Sequence, residues 1–461
     1  MRAEQQSYAG YFWRSNLPEK KVPGTLTVVD GGKVYLEVLG TFDERTEHFN
    51  RRDPVPRVLG EIEGGKRITL ENCSYLRKPG LPGFIAKSKL RAECVYIGVV
   101  FDDGEEVQLR SFQFSVEGLD AWHSISGITT NYEPKTHAGS ITYERPRSIE
   151  LWSDGEINLS LSFGHRGPTL GKPQSATIAQ SSYFVLRANS PRPFDGFSAV
   201  ACKIVNLMSL AIDKIAAIRD VYARVPSDGH SEPKSDIFAQ LFFESIFYQD
   251  DPPKIDSHTL LFSFERIAGN PQQLFSKWLA IHDRLLPAMG LYFAAQTDRH
   301  AFISSRFLSL AQALEVYHRR TAPDARIPDE EFRELRDAFL AVTPEKHFKM
   351  VQEVTGYWNS PTLRTRLERL FARFARHFGS EDVRAALVDD IVQTRNYFTH
   401  FDPKSKVKDR EGVDIWQLCM RMNALFQLCL LSEVGFSDEV IDEIVKENWA
   451  LKRKLTGKVG D

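Results

Sequence analysis

Two hydrophobic periods divide the chain. Up to about residue 190, short β-branched and aromatic runs alternate apolar with polar positions and are broken by Gly, Pro, Asn and Asp, the pattern of an antiparallel sheet. The runs at 24–29, 33–39, 66–70, 94–101 and 107–116 are of this kind. Residues 149–163 read as a hairpin, with Leu151 and Trp152 near its turn. Asp154 and Gly155 tolerate the positive φ of a tight turn, and both arms alternate. After Pro193 a helix is expected over 194–211, then strands around 215–225, 237–248 and 259–264. The stretch 226–234 reads as a solvated loop.

From Pro271 onward apolar residues recur at i, i+3, i+4 and i+7. This predicts helices over about 271–283, 284–295, 299–320, 329–341, 345–357, 361–377, 380–400, 412–433 and 437–449. Ser380 and Ser437 each precede two acidic residues, the arrangement of an N-cap with a complemented helix dipole. Strand-like text continues past the 226–234 loop, so the boundary is placed at Gly269, Asn270 and Pro271. The expected class is α+β with two domains, an antiparallel, sandwich-like β-rich domain over 1–270 and an all-helical bundle over 271–461. No repeat is visible, which favours a compact bundle over a solenoid.

A length of 461 residues accommodates both domains. Lys plus Arg (59) nearly balances Asp plus Glu (61), so no global basic field exists and any RNA partner must be held by a local patch. Five scattered cysteines without a CxxC pair fit a reducing compartment and argue against a structural metal. The start lacks a signal-type apolar core, and the most apolar stretch, 197–212, contains Lys203 and Asn206. It reads as a buried helix, and the expectation is a cytoplasmic protein with no membrane contact.

The informative helix is the one ending at His400, stopped by Pro403. It places Arg395, Asn396 and His400 within six residues. Asn396 and His400 share a face, whereas Arg395 and His400 diverge by ~140° on an ideal helix. RNA can be cut without a metal when its 2′-hydroxyl attacks the adjacent phosphate, given a base, an acid and a cation for the phosphorane. Histidine can serve as base or acid near neutral pH, and arginine matches phosphate oxygens with a planar fork. One His and one Arg are half a set; two copies across a twofold axis supply the whole. By spacing alone a blander reading is favoured, in which both side chains oppose the helix dipole and cap its carbonyls.

Other groups admit two readings. Arg366, Arg369, Arg373 and Arg376 form the best local phosphate-binding surface, or else a solvated helix face. Glu315 either orients an active-site group or pairs with Arg319. Tyr317 and His318 read as packing residues, and Asp389 and Asp390 as solvated or salt-bridged rather than metal ligands. The basic clusters 404–410 and 452–454 are candidates for a wider RNA footprint. Trp13, Trp122 and Trp152 line a ligand groove or fill the sheet core.

Residues 389–400 resemble the R-N-x-x-x-H signature of HEPN domains, specifically those of ApeA-like bacterial anti-phage proteins. Residues 306–319, with Glu315, Tyr317 and His318, are similar to the LE-x-YH helix that precedes the signature in that family. Residues 10–13, 23–26 and 34–40 look like the ApeA amino-terminal domain. The resemblance implies a metal-independent endoribonuclease without cofactor, with Arg395 and His400 catalytic and Asn396 the second polar residue. It further implies an abortive-infection effector toxic to its host, RNA (transfer RNA to be tried first) as substrate, pairing into a homodimer or larger assembly, and a phage-derived trigger at the β-rich domain. Two alternatives stay open: a catalytically silent RNA-binding or assembly module, and a nucleotide-binding protein.

Overall fold

The computed structural model describes residues 1–42, 55–78, 87–167, 176–226, 236–245, 248–297, 302–323, 325–401, 407, 410 and 412–457. Tertiary contacts divide the chain into two units, Met1–Ser276 and Lys277–Asp461.

In the first unit, β1 (Gln6–Arg14) pairs with β2 (Val22–Val29), which pairs with β3 (Lys33–Leu39). On its other edge β1 meets β4 (Val55–Ile62), then β5 (Lys66–Arg77), and β6 (Lys87–Ala92) joins β5 back to β3. The six strands therefore close into an antiparallel barrel. Alternation sends Leu26, Val28, Val34, Leu36 and Val38 inside. Gly10 faces Gly24 across β1 and β2, and a Cβ on Gly10 would lie 2.3 Å from the Glu61 carbonyl oxygen. Only glycine allows the backbones to approach this closely in a tightly coiled barrel.

The barrel is one end of a longer ladder, because β5 changes partner along its length. Residues 68–71 pair with β7 (Cys94–Ile97), and residues 74–77 pair with β6. Asn72, at φ +52°, stands where the partner changes, a conformation that asparagine tolerates better than most residues. From β7 the ladder runs through β15 (Ile237–Phe243), β14 (Ile218–Val225), β8 (Gln108–Val116), β13 (Ala179–Pro193) and β12 (Ile157–Arg166) to β11 (Ile149–Ser153). Strands β9 (Ile128–Glu133) and β10 (Ala138–Tyr143) form a separate hairpin. The predicted β11–β12 turn is present: Gly155 has φ +89°, and Asp154 Oδ1 accepts from the amides of Glu156 and Ile157 at 2.8 and 2.7 Å.

Helix α1 (Leu119–His123) carries Trp122 into the core against Phe184, Phe264 and Phe275. Helix α2 (Phe194–Ala211) matches the predicted helix and stacks Phe197 on Phe112 of the sheet. Among the described residues α2 alone is long and apolar enough to cross a membrane, yet 56% of it is buried within the fold, as a core helix would be. The strand expected at 259–264 does not form. Ser257–Thr259 is a 3-10 turn, the Leu261 amide bonds the Ala211 carbonyl at 2.7 Å, and Leu260, Leu261, Phe262 and Phe264 fill the core without a ladder partner. An apolar run alone does not distinguish a strand from an extended plug.

The helical unit follows from α3 (Pro271–Thr297), which begins before the unit boundary. It continues with α4 (Ile303–Thr321), α5 (Asp329–Ala341), α6 (Glu345–Thr355), α7 (Leu363–Arg373), α8 (Glu381–His400), α9 (Gly412–Glu433), α10 (Asp438–Glu447) and α11 (Trp449–Thr456). Helix α3 joins two predicted helices and runs through Pro287. Burial of Leu285, Ala288, Met289, Tyr292 and Phe293 offsets the hydrogen bond proline removes. Helix α9 is the core of the unit, buried on most sides, with Phe426 stacked on Tyr292 and edge-on to Tyr317. Ser380 and Ser437 cap α8 and α10 as expected, each accepting an amide at 3.4 Å. Helix α11 was not anticipated; Asn448 ends α10 and caps α11 through Leu451 N–H at 2.8 Å.

Candidate active site

Helix α8 presents the signature. Leu387, Ile391 and Thr394 are buried, Phe398 is half-buried, and together they form its inner stripe. Phe398 meets Phe307 of α4 edge-on, with centroids 5.8 Å apart, which fixes α8 against α4. One residue past Thr394, Arg395 falls at the margin of this stripe and is half-buried, while Asn396 and His400 turn to the opposite side and are exposed. Arg395 Nη1 approaches Asn396 Oδ1 at 3.5 Å, the outer limit of a hydrogen bond.

The end of α8 is closed by its own backbone. Phe401, in the left-handed conformation at φ +50°, donates its amide to the Tyr397 carbonyl at 2.6 Å, and Thr399 Oγ1 donates to the Arg395 carbonyl at 2.8 Å. Among the described residues, no hydrogen bond runs from the Arg395 or His400 side chain to a helix carbonyl. Pro403 and most of the 404–410 cluster lie outside the described residues. Arg410 is described and bonds Thr394 Oγ1 at 3.1 Å and the Asp390 carboxylate.

Two clefts flank Arg395. One, of about 430 Å3, lies between α4 and α8 and takes in Gln312, Glu315, Arg319, Leu363 and Thr399. The other, of about 620 Å3, shares Glu315, Arg319, Leu363 and Arg395 and adds Tyr357, Arg364 and Asn396. His400 lines neither. Glu315 pairs with Arg319 at 3.4 Å, as one of its two expected readings has it, and borders both clefts. By sequence Arg319 reads only as the partner of Glu315. Tyr357 reads in the sequence as the last residue of the helix expected over 345–357, but that helix ends at Thr355 and Tyr357 falls in the turn after it.

The neighbouring polar groups are structural. Tyr317 donates to Glu433 Oε1 at 2.9 Å, and burial together with nearby Cys429 and Glu433 raises its pKa well above that of an ordinary phenol. His318 is buried beside Arg366. Asp389 pairs with Arg364 and Asp390 with Arg410.

Of the four arginines expected around α7 as a phosphate-binding surface or a solvated face, the fold removes Arg366. Arg366 is fully buried and bonds the Pro361 carbonyl at 3.1 Å, His318 Nδ1 at 3.3 Å and Ser360 Oγ at 3.2 Å, so no phosphate can reach it. Arg376 bridges Asp438 at 3.0 Å and Asp442 at 2.7 Å. Arg373 is exposed but contacts Ser432 Oγ, and Arg369 is exposed. Lys454 of the 452–454 cluster bonds Asn423 and Gln427, each at 3.3 Å. In the β-rich unit, Trp122 is core, Lys21 covers Trp13, and none of Trp13, Trp122 and Trp152 lines the cleft of about 830 Å3 beside Arg57, Glu71 and Phe194.

A family model described as ApeA N-terminal domain 1 matches residues 7–278, and one described as Apea-like HEPN matches residues 308–440. The chain belongs to the ApeA-like family. Its helical unit therefore carries a HEPN domain, whose match runs from within α4 to the first turn of α10 and includes Glu315, Arg395, Asn396 and His400. HEPN domains are generally ribonucleases that commonly dimerise and bind RNA, and the ApeA-like family is associated with anti-phage defence. No curated protein and no solved structure matches the chain.

Proposed function

We propose that this ApeA-like protein is a metal-independent endoribonuclease that acts as an abortive-infection effector in the cytoplasm. The observation that carries the reading is the end of α8. Arg395, Asn396 and His400 are left over from the capping of their own helix, which backbone and Thr399 groups perform. The exposure of Asn396 and His400, with Arg395 at the margin of the buried stripe, supports a site completed by a second copy, with His400 of one chain taking the 2′-hydroxyl proton and His400 of the other protonating the departing 5′-oxygen. Attack of the 2′-oxygen on phosphorus breaks the P–O5′ bond and leaves a 2′,3′-cyclic phosphate and a 5′-hydroxyl. Arg395 from each chain stabilises the phosphorane. Arg369 and Arg373 serve as outlying phosphate contacts, and the β-rich unit, with its own cleft, is the module assigned to a phage-derived trigger.

The test is purified protein with total RNA and with transfer RNA, read on a gel. His400→Ala is expected to lower cleavage by about 10²–10⁴-fold, the usual contribution of a positioned proton-transfer group. A host expressing the wild type is expected to lose RNA integrity and restrict phage, while Arg395→Ala and His400→Ala do neither. Full activity in either variant would remove the assignment.

A further inference from the structure

Helices α5 and α6 form a lobe with an apolar face that the fold leaves open. Asn359 ties its base: its carbonyl accepts the Arg326 amide at 2.8 Å, its Oδ1 accepts the Ile327 amide at 3.0 Å, and its Nδ2 donates to the Ile327 carbonyl at 3.0 Å. The two helices between these points therefore run antiparallel. Arg336 Nε meets Thr355 Oγ1 at 3.4 Å across the pair, and among the described residues of α5 and α6 only Thr355 is buried. Leu335, Phe339 and Val342 on the first arm and Met350 and Val354 on the second are 45–79% exposed. Counted from Arg336 and Thr355, these side chains lie roughly 60–140° round their helices in the same sense, which in an antiparallel pair turns both stripes to one side. Trp358 meets Phe339 edge-on with centroids 5.0 Å apart, and Tyr357 beside it is 80% exposed, so the face continues into the turn after α6.

At these exposures the face presents on the order of 700 Å2 of apolar side chain. Monomers seldom leave more than a few hundred Å2 of contiguous apolar surface uncovered, and a stable interface takes roughly 800 Å2 from each partner. An anionic lipid surface does not fit, because α5 carries five carboxylates against two arginines. Tyr357 also lines the cleft that holds Arg395 and Asn396, so whatever covers the face stands beside the residues that the proposed reaction needs from two chains. We infer that a second copy of this chain covers it, the two α5–α6 lobes packing together about a twofold axis. The pairing rests on the ribonuclease reading for its purpose, though not for its test. A twofold contact sets each stripe against its own copy, so one substitution alters the interface twice.

The experiment is sedimentation velocity on the full chain over a concentration series. The wild type is expected to be dimeric at micromolar concentration. Leu335→Glu combined with Val342→Glu is expected to weaken dimerisation at least about hundredfold by setting four carboxylates in the interface. Its melting temperature measured on the monomer should stay near that of the wild type, because both positions face solvent in the single chain. Leu335→Ser, which adds no charge, should give a smaller shift in the same direction, and Leu286→Glu, at a similarly exposed position on α3, should leave the dimer intact. A wild type that stays monomeric would overturn the pairing face, whether or not it binds phosphatidylcholine vesicles or another protein, and so would a folded Leu335→Glu, Val342→Glu chain that stays dimeric. RNA cleavage is read on the same samples. A chain that loses its dimer as described and cuts nothing retains the face and loses the nuclease reading; one that cuts and stays dimeric with both glutamates retains the nuclease reading and loses the face.

Discussion

Helices α7 and α8 lie side by side and differ in how their polar groups are used. Helix α7 and the turn after it are rich in arginine, yet Arg366 is buried, Arg364 is paired with Asp389, Arg376 is paired with two aspartates and Arg373 contacts Ser432. Helix α8 offers a single arginine, an asparagine and a histidine in its last two turns, and leaves them at the surface or the margin of a cleft. Charge counted along a sequence therefore differs from charge available to a ligand. A guanidinium already satisfied by carbonyls or carboxylates must break those bonds before it can hold phosphate.

Three substitutions sharpen the contrast. The largest effect is expected at Arg366→Ala, which leaves the Pro361 carbonyl, His318 and Ser360 without their partner and opens a void. Chemical denaturation is expected to show a loss of about 3 kcal/mol, and any loss of RNA cleavage should track unfolding. A stable Arg366→Ala protein that has lost RNA binding would reverse the roles assigned to the two helices. Next, Ser380→Ala removes the N-cap of α8 and should cost about 1 kcal/mol in the same assay, without altering cleavage at temperatures well below the transition. The smallest effect belongs to Arg376→Ala. Its partners are 40–60% exposed, so less than about 1 kcal/mol is expected, shrinking further at high salt, with RNA affinity unchanged. A drop in affinity there would make Arg376 a phosphate contact despite its two aspartates.

Much of this was legible locally. The span of α5, the caps at Ser380 and Ser437, the helix over 194–211 and the Asp154–Gly155 turn all follow from period, cap chemistry or turn chemistry within a few residues. The apolar run at 259–264 was misleading because strand formation requires a partner, and the residues that receive it, Ala211 and Trp122, are distant in sequence. The division expected between 283 and 284 does not occur: α3 runs unbroken from Pro271 to Thr297, through Pro287.

The signature residues are determined by the sequence itself, because the order Arg395, Asn396, His400 on one helix fixes their angular spacing by helix geometry alone. Tertiary structure decided which arginines the fold engages, that β5 branches to close a barrel, and that Arg319 and Tyr357 border the same cleft as Arg395. These depend on desolvation and on pairing between groups far apart along the chain, and no local pattern encodes which distant partner a side chain will meet.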